Sequence, residues 1–172
     1  MTDGIIPLER ILFGNEHWRS HRAINEIEIY CELLEHLQDK IDALETSQTD
    51  EKATLIDVQS VISSYAIEIA MKSLRALDYP DKRVPPIHDL VEIFDDLKEG
   101  TKRSLEDFQL TREALEEMPK PFTNNRYSME FADGRLTTVY PVPLLRALTR
   151  LLTDKLEENR KALLTSPRTY TA

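Results

Sequence analysis

The stretch Ser64-Tyr-Ala-Ile-Glu-Ile-Ala-Met-Lys-Ser-Leu74 decides the fold of this chain. It lies within a longer segment, about residues 51–77, whose apolar residues recur at helical spacing: Leu55, Val58, Ile62, Tyr65, Ile69 and Leu77. The small residues Ser63, Ser64 and Ala66 in this segment allow a neighbouring helix to approach closely. The pattern predicts a long amphipathic helix packed against another helix.

A second amphipathic segment precedes this one along the chain. Between about residues 15 and 44, apolar residues recur every three or four positions, at Ile24, Ile27, Cys31, Leu34, Leu37, Ile41 and Leu44. The polar stretch of residues 45–50 separates the two segments and contains residues that cap helices. The sequence therefore predicts a helical hairpin.

Shorter helices are expected after a loop rich in proline. Residues 79–87 contain three prolines, which lack the amide hydrogen that a helix uses. Asp89 can accept from the free amides of a first helical turn and Glu92 can reach back, which predicts a capping box and a short helix. We expect Gly100 to end this helix and Thr101 to cap the next. A fourth helix should follow, carried by Leu105, Phe108, Leu115 and Met118 as far as Pro119.

The last third of the chain has a different pattern. Asp133-Gly134 lies between apolar runs in residues 127–140, which predicts a small β-hairpin. Pro143 suits the first turn of a final helix that reaches about residue 164. Its apolar stripe consists of Leu144, Leu145, Leu148, Leu151, Leu152, Leu156 and Leu163. We predict one mainly α-helical domain over residues 1–172, an up-and-down bundle of about five helices with the β-hairpin before the last, and a frayed tail over residues 166–172.

The composition favours a folded cytoplasmic protein. Hydrophobic residues make up 41% and charged residues 31% of the 172 residues, as in helical globular proteins. We expect no secretion and no membrane span, because Cys31 is the single cysteine and no apolar run approaches the roughly 18 residues of a span. The net charge of −9 argues against non-specific binding to duplex nucleic acid. Residues 101–172 carry 12 basic and 10 acidic side chains, whereas residues 1–100 carry 10 basic and 21 acidic ones. Any anionic ligand would therefore be expected on the C-terminal part.

Three motifs resemble one known family. The helix quoted above carries Glu68 and Lys72, a proline-bearing loop follows, and His88-Asp-Leu opens the next helix. The pair Arg126-Tyr127 then precedes the last helix. In this order the motifs resemble the core of the HEPN domains of prokaryotes, over roughly residues 50–165. The resemblance implies a small helical bundle that is often dimeric and is encoded beside nucleotidyltransferases or within toxin and phage-defence systems.

Many members of the resembling family are metal-independent ribonucleases. Those members use an Arg, a following polar residue and a His within four to six positions, at the start of a late helix. No histidine follows His88 in this chain, so the motif is missing from that helix. Arg83 and His88 satisfy the bare spacing and are the weak catalytic candidates, although Val84 replaces the polar residue and two prolines intervene.

The remaining candidate residues belong to an anion-binding pocket. In the resembling family the Glu and Lys of the long helix lie near the histidine of the next helix. The resemblance therefore implies a polar pocket lined by Glu68, Lys72, His88, Arg126 and Tyr127. A phosphate, a nucleotide or an RNA end could bridge its cations. The alternative is an internal salt-bridge network, since Glu68 and Lys72 are four residues apart on a helix.

Two further patterns give weaker signals. His17 and His21 share a helical face at the spacing used for zinc, but no third ligand completes a known pattern, so we expect no metal and no cofactor. Arg146 and Arg150, with further cations beyond them, could present a basic stripe to RNA or to an acidic partner. The alternative is a solvated face, because no aromatic residues interleave with these charges.

The sequence thus favours a HEPN-like interaction module, non-catalytic or weakly active, in a prokaryotic stress-response, toxin–antitoxin or phage-defence system. The alternatives are a metal-independent RNase toxin, which would act on RNA, and a nucleotide-binding regulator. The expected partners are a second copy of the chain in a homodimer and a protein such as a nucleotidyltransferase or another defence component. We expect no membrane partner.

Overall fold

Three long helices frame the structure. In this computed structural model the described residues are 15–45, 47–80, 82–84, 86–117 and 141–165. They form the helices α1 (Asn15–Ala43), α2 (Thr49–Asp78), α3 (Leu90–Asp95), α4 (Glu99–Glu106), α5 (Arg112–Glu117) and α6 (Val142–Thr165). Within these ranges no helix is both long and apolar enough to cross a membrane. The prediction of a mainly α-helical chain is confirmed.

Helices α1 and α2 form the predicted hairpin. The amide of Gln59 on α2 donates to the side-chain oxygen of Gln38 on α1 over 3.1 Å, and the rings of Tyr30 and Tyr65 meet 5.8 Å apart. These two contacts pair residues that run in opposite directions along the chain, so the helices are antiparallel. Their shared core is fully or almost fully buried and consists of Ile27, Cys31, Leu34, Ala66, Ile67, Ala70, Met71 and Leu74.

Helix α6 covers the inner side of this hairpin. Its buried residues fall at the three- and four-residue spacing that places them on one stripe, at Leu145, Leu148, Leu152 and Leu156. Burial of each leucine side chain stabilises the fold by about 1.5–3 kcal/mol relative to exposure. The predicted last helix is therefore confirmed, and the core lies between α1, α2 and α6. Of the predicted stripe, Leu144 and Leu151 are only partly buried, and Leu163 lies outside the residues whose side chains the structure describes.

The short helix α3 begins where its cap predicts. The carboxylate of Asp89 accepts hydrogen bonds from the amides of Val91, over 2.9 Å, and Glu92, over 3.3 Å. This cap satisfies two of the free amides of the first turn. Leu90, Ile93 and Phe94 then bury the helix against the core.

The region after α3 differs from the prediction. Gly100 does not end a helix but lies in the first turn of α4, and Thr101 does not cap it. The hydroxyl of Thr101 instead donates to the carboxylate of Asp78, 23 residues away, over 2.8 Å. A tertiary partner has thus replaced the local cap.

The single fourth helix predicted as far as Pro119 is also wrong, because α4 and α5 are separate helices. Gln109, three residues after the last residue of α4, adopts the left-handed conformation at φ 63°. Its amide donates to the Glu106 carbonyl, and the Leu110 amide donates to the Leu105 carbonyl. This pair of bonds is a Schellman motif. As a result Leu110 enters the core, whereas Phe108, expected in the core, is 39% exposed.

Some predicted features lie outside the described residues. They are the end of the fourth helix at residues 118–119, the β-hairpin of residues 127–140 and the tail of residues 166–172. The described part of the chain contains helices and connecting turns, with no strand.

Candidate functional site

Three of the five predicted pocket residues meet around one carboxylate. Glu68 lies in the middle of α2 and is only 3% exposed. Its Oε1 accepts from the Lys72 ammonium over 2.7 Å, and the Nδ1 of His88 lies 2.9 Å from the same oxygen. An ionised carboxylate only accepts hydrogen bonds, so the Nδ1 of His88 carries the hydrogen in this contact. We call these three residues the Glu68 cluster.

The loop between α2 and α3 brings His88 to this position by running back along α2. Arg75, one to two turns beyond Glu68, donates from Nη1 to the carbonyls of Lys82 over 3.3 Å and Arg83 over 2.9 Å. The Nε of Arg75 donates to Asp96 over 2.8 Å at the end of α3. Because prolines in this loop offer no amide hydrogen, such side-chain contacts replace the backbone ladder that would otherwise hold the segment.

The Glu68 cluster has an asymmetric solvent environment. The side chains of Lys72 and His88 are 22% and 56% exposed, whereas that of Glu68 is 4% exposed. The second oxygen of Glu68, Oε2, is buried and accepts no hydrogen bond from the described residues. A buried acceptor in this state destabilises a fold by about 1–3 kcal/mol. The cluster therefore holds a buried carboxylate that depends on its contacts with Lys72 and His88.

The two weak catalytic candidates are anchored at different places. The backbone of Arg83 is held at Arg75, and the imidazole of His88 is held at Glu68, seven residues earlier on α2. Seven residues of helix span about 10 Å. The side chain of Arg83 is exposed. The backbone of Arg83 and the imidazole of His88 are thus anchored at points about 10 Å apart along α2.

Arg126 and Tyr127, the other two predicted pocket residues, lie outside the described residues.

A crevice borders the Glu68 cluster and has a volume of about 10 Å³. That volume holds about one water molecule. Its walls are Lys72, Arg75, Val84, Ile87, Ile93 and Asp96.

A larger cleft lies between α1 and α6. It has a volume of about 280 Å³ and is lined by Glu28, Cys31, Glu32, Arg146, Thr149 and Arg150. The guanidinium of Arg146, a member of the predicted basic stripe, donates to Glu35 over 2.7 Å. Burial raises the pKa of the Cys31 thiol, against the opposing effect of Arg146. The cleft therefore combines charges of both signs around an inert thiol.

Sequence reasoning missed two buried charged residues near the cluster. Arg75 is 7% exposed and could have been found, because it lies seven residues after Glu68 on the same helical stripe. Asp78 is 3% exposed and accepts from Thr101, from the Lys98 amide over 2.9 Å and from Lys155. No local pattern identifies Asp78, since its partners are 20 to 77 residues away.

Compared with known proteins, the chain matches no family model, no curated protein and no solved structure.

Proposed function

We propose that this chain is a HEPN-like interaction module, non-catalytic or weakly active, that serves a protein partner in the cytoplasm of a prokaryote. The systems that fit are stress response, toxin–antitoxin pairs and phage defence, with a nucleotidyltransferase or another defence component as the partner. The family part of this proposal rests on the order of the sequence motifs. The functional part rests on one observation, the convergence of Lys72 and His88 on the buried Glu68.

That convergence favours a structural role for the only histidine of the candidate site. A metal-independent ribonuclease needs a histidine that moves a proton and an arginine that holds the phosphate at the same place. Here the Nδ1 of His88 is committed to Glu68, and the backbone of Arg83 is anchored about two turns away along α2. The same contacts fix the loop to α2. This structural role is enough to explain the Glu68 cluster without a catalytic one.

The size of the neighbouring crevice favours an interaction module over a nucleotide-binding regulator. Small-molecule sites usually have volumes of about 300–1,000 Å³. The crevice beside Lys72 has a volume of about 10 Å³. A crevice of this size cannot enclose a nucleotide.

Incubation of the purified chain with total RNA tests the non-catalytic proposal. We expect no cleavage above that of a matched mock purification. The variants His88→Ala and His36→Ala form the control pair, because His36 is an exposed histidine on α1, far along the chain from the Glu68 cluster. Cleavage that is lost in His88→Ala and kept in His36→Ala would replace the proposal with the RNase reading. A thermal shift with a nucleoside triphosphate, abolished by Lys72→Ala, would favour the regulator.

A further inference from the structure

The exposed apolar side chains of the described residues are concentrated on one part of the molecule. Among the described residues six large hydrophobic side chains are exposed, and five of them lie on α1 and α2. Their exposed fractions are 62% for Ile29, 40% for Leu33, 41% for Val58, 36% for Val61 and 37% for Tyr65. The sixth, Phe108, lies after α4. We call the first five the hairpin face.

The residues of the hairpin face form two adjacent stripes. Ile29 and Leu33 are four residues apart on α1, and Val58, Val61 and Tyr65 are three and four apart on α2, so each set shares one side of its helix. The edge-to-face contact of Tyr65 with Tyr30, which lies next to Ile29 and three residues before Leu33, joins the two stripes. The exposed apolar residues of the two helices therefore lie side by side at the Tyr30–Tyr65 contact.

The area of this face is close to what a dimer requires. With reference areas on the order of 150–250 Å² for large side chains, the five exposed fractions leave roughly 400 Å² of apolar surface. A standard interface buries about 800 Å² per partner, of which about 60% is apolar. The hairpin face supplies most of the apolar area that one side of such an interface contains.

The charges around the face fit a second copy of the same surface. Arg22 and Lys40 are exposed and continue the α1 stripe beyond Ile29 and Leu33 at seven-residue spacing. Glu51 is exposed and continues the α2 stripe seven residues before Val58. Glu28 and Glu32 are also exposed, next to Ile29 and Leu33. Arg22 and Lys40 can meet such carboxylates of a second copy across a two-fold axis, whereas a nucleic acid would oppose the carboxylates with phosphates.

We propose that the hairpin face is the surface through which two copies of this chain associate, with the two α1–α2 hairpins packed as a four-helix interface. Antiparallel helical hairpins with an apolar side pack in this way in bundles. This inference deepens the homodimer expected from the sequence and rests on the interaction role proposed above. It adds the residues that make the contact.

Sedimentation velocity or light scattering over a concentration series tests the surface. The wild type should move from the monomer mass of 19.9 kDa to twice that mass at tens of micromolar. Ile29→Glu on α1 and Val61→Glu on α2 should each raise the dissociation constant about tenfold or more, because each buries a charge in the contact. Phe108→Glu is the matched control and should leave the dissociation constant unchanged, since Phe108 is a similarly exposed apolar residue outside the face.

Two outcomes overturn the inference in distinguishable ways. A wild type that stays monomeric throughout removes both the homodimer and the surface, while the RNA experiment still decides the role of the Glu68 cluster. A dimer that survives Ile29→Glu and Val61→Glu places the contact elsewhere and leaves the homodimer standing. The two glutamate variants lie on different helices, and thermal unfolding shows whether each of them folds. If one fails to fold, the dissociation constant of the other still tests the surface.

Discussion

At the scale of single residues, Glu68 links the loop to α2 through contacts with Lys72 and His88, whose side chains are more exposed than its own. Lys72 and His88 reach solvent and can regain water when their contact is lost, whereas the carboxylate of Glu68 cannot. Loss of either partner should therefore destabilise the fold more than loss of a simple surface ion pair would.

We expect Lys72→Ala and His88→Ala each to lower the free energy of unfolding by about 1.5–3 kcal/mol, the range of a hydrogen bond to a charged group. The double variant should lose more than the sum, because it leaves the buried Glu68 carboxylate without either of these two hydrogen-bond partners. Urea unfolding measures all three. Lys102→Ala is the control, since its partner Glu99 is 77% exposed, and it should change stability by about 0.5 kcal/mol or less. Additive losses in the double variant would contradict this account.

Tyr30 offers a pH-dependent test at the same scale. Burial raises its pKa to about 12, aided by the hydrogen bond to Glu26. The neutral phenol is thus favoured in the folded state, and its contribution is complete below the ordinary pKa of about 10 and lost as the pH rises towards 12. Unfolding of wild type and Tyr30→Phe at a series of pH values should give a stability difference that shifts in favour of the variant above pH about 10. A difference that is constant across this window would refute the assignment.

At the scale of elements, sequence patterns predicted a helix correctly where the residues of its apolar stripe or its cap are close in sequence. They failed where a residue's contact lies far away along the chain. The long helices α1, α2 and α6 follow from three- and four-residue apolar spacing, and α3 follows from the Asp89 cap. The cap expected at Thr101 failed because its hydroxyl binds Asp78 across the fold. In the candidate site the Glu68–Lys72 pair follows from helical geometry, whereas the contacts of Arg75 depend on the path of the loop.

The break between α4 and α5 escaped prediction because a glutamine occupies a position that usually belongs to glycine. Gln109 adopts φ 63° at the end of α4, a conformation that is unfavourable by about 1 kcal/mol for a residue with a Cβ atom. Gln109→Gly should therefore raise the free energy of unfolding by about 0.5–1 kcal/mol. Thermal or chemical unfolding measures the change. Gln109→Ala keeps a Cβ atom and serves as the control; equal effects of Gly and Ala would argue against strain at this residue.

At the scale of the whole molecule, Asp78 joins three parts of the chain at the end of α2. Its carboxylate accepts from the Lys98 amide and the Thr101 hydroxyl at the start of α4, and from Lys155 on α6. The Asn159 amide adds a bond to the Leu77 carbonyl over 3.2 Å. These contacts fix α6 and α4 relative to the hairpin.

Asp78→Ala should destabilise the fold by about 3 kcal/mol or more, because it removes one member of a buried network and strands the buried Thr101 hydroxyl. Asp154→Ala is the matched control: Asp154 is exposed on α6 next to Lys155 and should change stability by about 0.5 kcal/mol or less. Chemical unfolding followed by circular dichroism compares the two. Similar losses would mean that the Asp78 network contributes little.

The position of α6 in the sequence has a consequence for synthesis on the ribosome. The hairpin of α1 and α2 is complete at Asp78, but the helix that covers its inner side ends only at Thr165. At translation rates of about 5–20 residues per second, the intervening 87 residues take roughly 4–17 s to make. During that interval Ile27, Leu34 and Leu74 lack the leucines of α6 that later cover them. The nascent hairpin is therefore a candidate client for chaperones that bind emerging apolar helices, and closure of its core must wait for the last helix to leave the exit tunnel.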